Sequence, residues 1–219
     1  MKKAGGREAE HKQSSATEIR LASEELTATA KLEESHTTLI LLSLSNSLLH
    51  ILDKIGPTMA VLRHDVHKNI ERLEKINLLD PSLYSSLEEI LKKEVDEGTA
   101  RKRESCSRAV LWLTRSMDFS QELLERLEMD SLSSLQHIVE ESYSNTLKPW
   151  HGWISSAAYK IALKLIPGKE DFLSLLTGSE QDQNLLKSDI QTLVSLLRPF
   201  LEETHALLRK FHLDTLKSA

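Results

Sequence analysis

Glycine and proline are scarce in this 219-residue chain, and they separate long stretches instead of interrupting them. Two of the seven glycines lie near the N-terminus, and the other five stand between stretches rich in leucine, glutamate, lysine and serine: Gly56, Gly98, Gly152, Gly168 and Gly178. Proline ends helices or occupies their first turn, and so few glycines cannot supply many tight turns. The placement therefore favours long helices over strands joined by hairpins.

Apolar residues between these joints recur three and four positions apart, as in the series Leu186, Ile190, Leu193 and Leu197. This spacing is typical of one face of an α-helix, whereas strand residues alternate. The sequence therefore predicts an all-α protein with about eight helices, at residues 17–32, 37–55, 58–77, 81–97, 99–128, 131–147, 151–166 and 181–211, with a further short helix at 170–177. Pro199 lies inside the last long helix and predicts a kink or break there.

Composition and charge limit the classes of protein that the chain can represent. The 28 lysines and arginines and 33 aspartates and glutamates give a net charge of −5, and 40% of the residues are hydrophobic. One domain with a sizeable core fits these values, and the strongly basic surface of a nucleic-acid-binding protein is absent. The single cysteine, Cys106, excludes an intramolecular disulfide framework and a multi-cysteine zinc site, so we expect a reducing, cytoplasmic location.

The N-terminal residues and the most apolar stretch of the chain bear on its domain organisation. Residues 1–15 are polar and lack the apolar core of a secretory signal, so we expect a disordered tail followed by one helical domain at 16–219. The most apolar stretch, 38–52, contains three serines, an asparagine and a histidine. It falls short of an uninterrupted membrane span, and we predict no transmembrane anchor.

A polar row runs along one shoulder of the helix predicted at 58–77. Asp65, Asn69 and Arg72 are spaced i, i+4 and i+7, beside an apolar arc that includes Val66 and Ile70. They offer acceptors, an amide that both donates and accepts, and a charged donor, which is the mixture needed to bind several hydroxyls of a polyol. The alternative is an ordinary helix shoulder with a local Asp65–Arg72 ion pair worth about 0.2–0.5 kcal/mol.

A second predicted helix carries an aromatic side chain between two cations. Arg108, Trp112 and Arg115 repeat the spacing of the first row, and residues 109–113 are apolar on all sides, which predicts a helix that runs through the core. An indole can stack against the C–H face of a sugar ring, and core packing is the alternative for this tryptophan.

Two of the three tryptophans flank a histidine in the segment KPWHGW at residues 148–153. Proline disfavours helix at the residue before it, so His151 is expected at a joint where its imidazole can enter a pocket as a donor or acceptor. A capping histidine in a packed corner is the alternative. Paired indoles such as Trp150 and Trp153 also suit a surface that touches a membrane interface.

Sequence motifs for a metal, a cofactor or catalysis are not found. His64 and His67 are three residues apart on a predicted helix, but no third ligand has a suitable spacing. The sequence contains no phosphate-binding glycine loop, nucleophile elbow or HExxH motif. We therefore expect no metal, no cofactor and no enzymatic activity.

Three motifs in this order, DxxxNxxR at 65–72, LWLTR at 111–115 and WHGW at 150–153, resemble those of the glycolipid transfer protein family. The connecting segments, among them SYSNTLKPWHGW and ALKLIPGKEDFL, resemble the plant members in particular. The resemblance extends from about residue 35 to the C-terminus. It implies a two-layer all-helical fold with an apolar lipid pocket, and a monomeric carrier that extracts one sphingolipid from a membrane and contacts that membrane only transiently.

The resemblance also implies roles for individual residues. In the family the aspartate and asparagine bind sugar hydroxyls, the tryptophan stacks under the first sugar, and the histidine binds the amide carbonyl of ceramide while the aspartate takes the amide N–H. These roles correspond to Asp65, Asn69, Trp112 and His151. Arg72 stands where animal members have a lysine, and a further tryptophan, Trp153, matches the residue that touches the membrane.

Arg108 and Arg115 are additional candidates for head-group contact. The ceramide-1-phosphate branch of the family has a lysine in place of the asparagine, an arginine in place of the tryptophan, and another arginine four residues earlier, at the position of Arg108. Asn69 and Trp112 favour a sugar, so we expect a glycosphingolipid such as glucosylceramide, with a ceramide-1-phosphate carrier or a lipid sensor of the same fold as alternatives. The leucine-rich segments 39–52, 111–127 and 161–176 are predicted to line the pocket, because two acyl chains must be shielded from water.

Overall fold

The computed structural model describes residues 17–30, 37–177 and 183–218, which contain helices and no strand. The α-helices of this part of the chain are α1 (Glu18–Ala30), α2 (Thr37–Ile55), α3 (Ala60–Leu79), α4 (Pro81–Tyr84), α5 (Leu87–Asp96), α6 (Cys106–Met129), α7 (Leu135–Asn145), α8 (Trp153–Leu163), α9 (Lys169–Thr177) and α10 (Gln183–Lys210). A 3₁₀ turn at Pro57–Met59 joins α2 to α3. The all-α fold is confirmed, and the tail predicted at 1–15 lies outside the described residues.

Polar side chains set helix boundaries that apolar spacing does not locate. The prediction that a helix begins near residue 99 is wrong, because α6 begins at Cys106, where the Ser105 hydroxyl accepts a hydrogen bond from Arg108 N at 3.1 Å. The helix predicted at 81–97 is divided into α4 and α5, since Ser86 has an extended backbone (φ −93°, ψ 123°).

A buried carboxylate also fixes the start of α6. Glu94 accepts hydrogen bonds from Cys106 N (2.8 Å), from Ser107 N (2.7 Å) and from the Ser107 hydroxyl (2.7 Å). Helix N-termini carry unpaired N–H groups and a partial positive charge, so an anionic acceptor stabilises them. Glu94 thereby ties α5 to the helix that carries Trp112.

Pro199 does not break α10, which continues from Gln183 to Lys210. The predicted break is wrong because the helix is held by packing on the other side of the proline. Pro199 is exposed, whereas Leu197, Phe200 and Leu201 are buried in the core. The helix thus loses one backbone hydrogen bond on its solvent side and keeps its apolar contacts.

One continuous core is built around α6, which packs against α2, α3, α5, α7 and α10. Residues 109–111 and 113 of α6 are buried, as its all-round apolar pattern predicts. Among the described residues, α2 is the one helix long and apolar enough to span a membrane by length and composition. Its buried Leu41, Leu42, Leu44 and Leu52 belong to this core, which accounts for its apolar character.

Candidate functional site

The polar row on α3 keeps two hydrogen-bonding groups unused. Asp65 is exposed, and its side chain has no hydrogen-bond or ion-pair partner in the described part of the chain. Arg72 Nη1 donates to Asn69 Oδ1 at 3.0 Å, and Arg72 Nη2 bonds Glu104. The alternative of a local Asp65–Arg72 pair is therefore not formed, and the Asp65 carboxylate and the Asn69 amide nitrogen remain able to bind a ligand.

Contacts between Arg72 and the start of α6 connect this row to the second helix. The Cys106 thiol donates to the Arg72 carbonyl at 3.6 Å, and Glu104, which bonds the Arg72 guanidinium, lies just before α6. Burial, with Glu94 nearby, raises the pKa of the Cys106 thiol to about 12, so the thiol stays protonated and can donate. The polar row thus meets the N-terminal turn of α6, six residues before Trp112.

Trp112 and His151 come together from separate parts of the chain. Their ring centroids are 5.7 Å apart and the rings are tilted by 39°. His151 Nδ1 is buried and has no hydrogen-bond partner among the described residues. Burial, followed by the charge of Arg115, lowers the pKa of His151 below its usual 6.5. The imidazole is therefore neutral at pH 7, with one buried nitrogen free to bind a polar group.

Arg115 contacts two indoles. Its Cζ is 4.9 Å from the ring centroid of Trp112 and 4.1 Å from that of Trp150. The residue is 3% exposed, and its guanidinium donates to the carbonyls of Asp214 (2.6 Å) and Leu216 (2.7 Å). Burial lowers the pKa of Arg115 to about 10, which still leaves it charged at neutral pH. Cation–π contacts with this one guanidinium stabilise the positions of the two rings.

The C-terminal segment, residues 213–218, forms one wall of this aromatic cluster. Ser218 N donates to the Trp150 carbonyl at 3.0 Å, and the Ser218 hydroxyl accepts from Gly152 N at 2.8 Å. Arg108 Nη2 donates to the Lys217 carbonyl at 2.9 Å. These contacts were not found from the sequence, because carbonyls bonded by an arginine about 100 residues away leave no local pattern.

Arg108 and Arg115, both on α6, therefore differ in what they offer a ligand. Arg115 is enclosed by indoles and carbonyls, a geometry that supports Trp112 and leaves its guanidinium little room for direct head-group contact. Arg108 is half-buried, and burial together with the charges of Arg103 and Arg72 lowers its pKa. Arg108 thus belongs to a group of cations next to the α3 row.

A pair of stacked tyrosines lies behind His151. The centroid of Tyr143 is 5.5 Å from that of His151, and Tyr159 stacks on Tyr143 at 3.5 Å with only 7° between the planes. Sequence reasoning missed both residues. The signal available in the sequence is their spacing, because Tyr143 and Tyr159 are each eight residues from His151. The helices before and after this joint can therefore each place an aromatic ring beside His151.

Trp153, the predicted membrane-contact residue, lies at the exposed start of α8. Its side chain is 79% exposed, and Ile154 and Ile161 are 52% and 64% exposed. We refer to Trp153, Ile154 and Ile161 as the α8 apolar face. Large apolar side chains clustered on one exposed helix are uncommon on soluble proteins unless they contact another apolar surface.

The described residues offer no group of ligands that could hold a metal ion. His67 lies 3.4 Å from Glu71, and His64 is exposed. The leucines of the three predicted pocket walls join a single core cluster, so the apolar pocket stays a prediction. Two polar surface clefts, one around Arg126 and one around His205, contain none of the predicted head-group residues.

Comparison with known proteins places the chain in a family of lipid carriers. The chain matches the family "Glycolipid transfer protein (GLTP)" over residues 36–178. This match spans well over half of the chain, and the chain belongs to this family of lipid transfer proteins, which are not enzymes.

Curated relatives agree with this assignment, and solved structures share the fold. Glycolipid transfer protein 3 of Arabidopsis thaliana is 52% identical over 81% of this chain and 76% of its own length. Glycolipid transfer protein 2 of the same plant is 46% identical over 92% of this chain and 94% of its own length. Human ceramide-1-phosphate transfer protein, solved with 2:0 ceramide-1-phosphate, has a TM-score of 0.80 at 18% identity, covering 92% of this chain and all of its own, 100%. FAPP2, whose structure is described as selecting simple glycosphingolipids with the GLTP fold, has a TM-score of 0.76 at 24% identity, covering 83% and 89%.

Proposed function

We propose that this protein binds a glycosphingolipid such as glucosylceramide and carries it between membranes through the cytoplasm as a monomer. The observation that carries the proposal is the contact between Trp112 and His151, since it combines an indole face with a neutral imidazole whose buried nitrogen lacks a partner. The unused carboxylate of Asp65 and amide nitrogen of Asn69 are available to sugar hydroxyls and to the ceramide amide. The names of the Arabidopsis relatives support a glycolipid ligand.

Transfer of radiolabelled glucosylceramide from donor to acceptor vesicles tests the proposal. Trp112→Ala and Asp65→Val should each lower the initial rate at least about tenfold, the change for a loss of about 1.4 kcal/mol. Asp96→Val is the matched control for Asp65, because Asp96 is also an exposed helical carboxylate without a side-chain partner among the described residues. Unchanged transfer by both site variants would refute the proposal.

A ceramide-1-phosphate carrier is the second candidate, and the cations around Arg108 favour it. Arg108 lies close enough to Arg72 and Arg103 for their charges to lower its pKa, and phosphate binds well to grouped guanidiniums. The neutral Asn69 and Trp112 support the sugar instead. Parallel transfer assays with both lipids decide, and a clear preference for the phosphate would overturn the sugar assignment. Tight stoichiometric binding without transfer would favour a lipid sensor.

Membrane docking through the α8 apolar face completes the proposed cycle. Trp153 and Ile161 can enter the interfacial region of a bilayer, where indoles are favoured, while the head-group residues receive the lipid. Because no covalent step is involved, lipid recovered from acceptor vesicles should be chemically intact.

A further inference from the structure

Two buried polar atoms, one on each of two rings that contact Tyr143, lack hydrogen-bond partners. Within the described residues, neither Tyr159 Oη nor His151 Nδ1 makes a hydrogen bond. Burial raises the pKa of Tyr159 to about 12, so its hydroxyl is protonated and able to donate. A buried hydroxyl without a partner destabilises a folded protein, and such groups call for an explanation.

The side chains of His151 and Tyr159 both contact the ring of Tyr143. His151 to Tyr143 is 5.5 Å and Tyr143 to Tyr159 is 3.5 Å between centroids, so the His151 and Tyr159 rings are at most about 9 Å apart. The Tyr143 hydroxyl faces Ser156 Oγ at 3.5 Å. Tyr159 is therefore the member of the stacked pair whose hydroxyl is left for a ligand.

We propose that the Tyr159 hydroxyl binds a hydroxyl on the ceramide part of the cargo, close to its amide, so that the protein prefers hydroxylated ceramides. This inference rests on the proposed function, in which His151 binds the amide carbonyl. A ceramide can carry such a hydroxyl at C2 of the acyl chain or at C4 of the sphingoid base. Either would satisfy the buried donor, whereas a methylene group leaves it unpaired, and sites that bind a hydroxyl discriminate against ligands that lack it.

Three glucosylceramides of equal chain length provide the test: one hydroxylated at C2 of the acyl chain, one at C4 of the base, and one at neither position. Their transfer is compared for the wild-type protein, Tyr159→Phe and Tyr84→Phe. Tyr84 is the matched control, because it is a half-buried tyrosine on α4, outside the His151 cluster. The wild-type protein and Tyr84→Phe should transfer one hydroxylated lipid about fivefold faster than the plain lipid, the effect of one neutral hydrogen bond. Tyr159→Phe should transfer all three alike.

The outcomes separate this inference from the function on which it rests. Equal rates for the three lipids with the wild-type protein, or a preference retained by Tyr159→Phe, would overturn the role of Tyr159 while leaving glycolipid transfer intact. Absence of transfer for all three lipids would overturn both proposals.

Thermal unfolding without lipid supplies a second readout. Tyr159→Phe removes an unpartnered hydroxyl, so its Tm should equal or exceed that of the wild-type protein. A lower Tm would show that the hydroxyl has a structural partner and would contradict its assignment to the ligand.

Discussion

Replacing Arg115 by methionine tests whether one guanidinium holds both the indoles and the C-terminal segment. The guanidinium donates two short hydrogen bonds, to the carbonyls of Asp214 and Leu216, and contacts the rings of Trp112 and Trp150. Methionine has a similar length and can fill the space between the rings, but it cannot donate a hydrogen bond.

The expected effect on stability follows from these contacts. A hydrogen bond from a charged donor contributes about 1.5–3 kcal/mol and a cation–π contact about 0.5–2 kcal/mol, but removing the guanidinium from water offsets much of this. The lowered pKa of Arg115, about 10, reflects that cost of burial. Because the substitution also leaves two carbonyls without their donor, we expect the free energy of unfolding to fall by about 2–4 kcal/mol.

Urea unfolding followed by circular dichroism measures this change, with Arg198→Met as the control. Arg198 forms an ion pair with Glu125 at 2.9 Å, but its side chain is 60% exposed, so its loss should reduce stability by less than about 1 kcal/mol. Carboxypeptidase should also trim residues 213–218 faster in Arg115→Met. If the two variants are equally stable and equally resistant to the protease, the assigned role of Arg115 is wrong.

Three further predictions concern docking, pH and thiol reactivity. Trp153→Ala should reduce flotation of the protein with vesicles several-fold without lowering its Tm, since the side chain is 79% exposed; undiminished flotation would exclude the α8 apolar face as the docking surface. Because burial lowers the pKa of His151 in the folded state, the unfolded state binds the proton more readily, and stability is lost as the pH falls below 6.5. The free energy of unfolding should therefore decline less steeply between pH 7 and pH 5 in His151→Asn than in the wild-type protein, and equal slopes would contradict a buried neutral imidazole. The Cys106 thiol, whose pKa is raised to about 12, should react with a maleimide at pH 8 at least tenfold more slowly in the folded protein than in urea; similar rates would show that the thiol is not protected.

Apolar spacing predicts the bounds of a helix well where packing in the core determines those bounds. The predicted bounds of α2 and α3 are close to those observed because each helix has core-facing apolar residues at helical spacing, such as Val66, Ile70 and Leu73 of α3. The start of α6 was misplaced because it depends on Ser105 and on Glu94, a carboxylate from another helix. The break predicted at Pro199 is wrong for the opposite reason, because packing of neighbouring residues compensates for the backbone hydrogen bond that the proline removes.

Some residues of the candidate site can also be predicted from the sequence, whereas the roles of others depend on tertiary contacts. Asp65, Asn69, Trp112 and His151 could be proposed because their spacing and motifs are visible in the sequence. The structure brings Trp112 to His151 and links Arg72 to α6. The role of Arg115 depends on Asp214 and Leu216, and that of Tyr159 depends on a stack with Tyr143, so neither could be deduced without tertiary contacts.

The distribution of the three tryptophans gives the protein two separate optical reporters. Trp112 and Trp150 share the Arg115 guanidinium, and Trp112 also faces an imidazole, whereas Trp153 is in contact with water. Cargo loading should therefore change the emission intensity of the inner pair, while insertion into a bilayer should shift the emission of Trp153 to shorter wavelength. Uptake of lipid and contact with the membrane can thus be timed independently in the unlabelled wild-type protein.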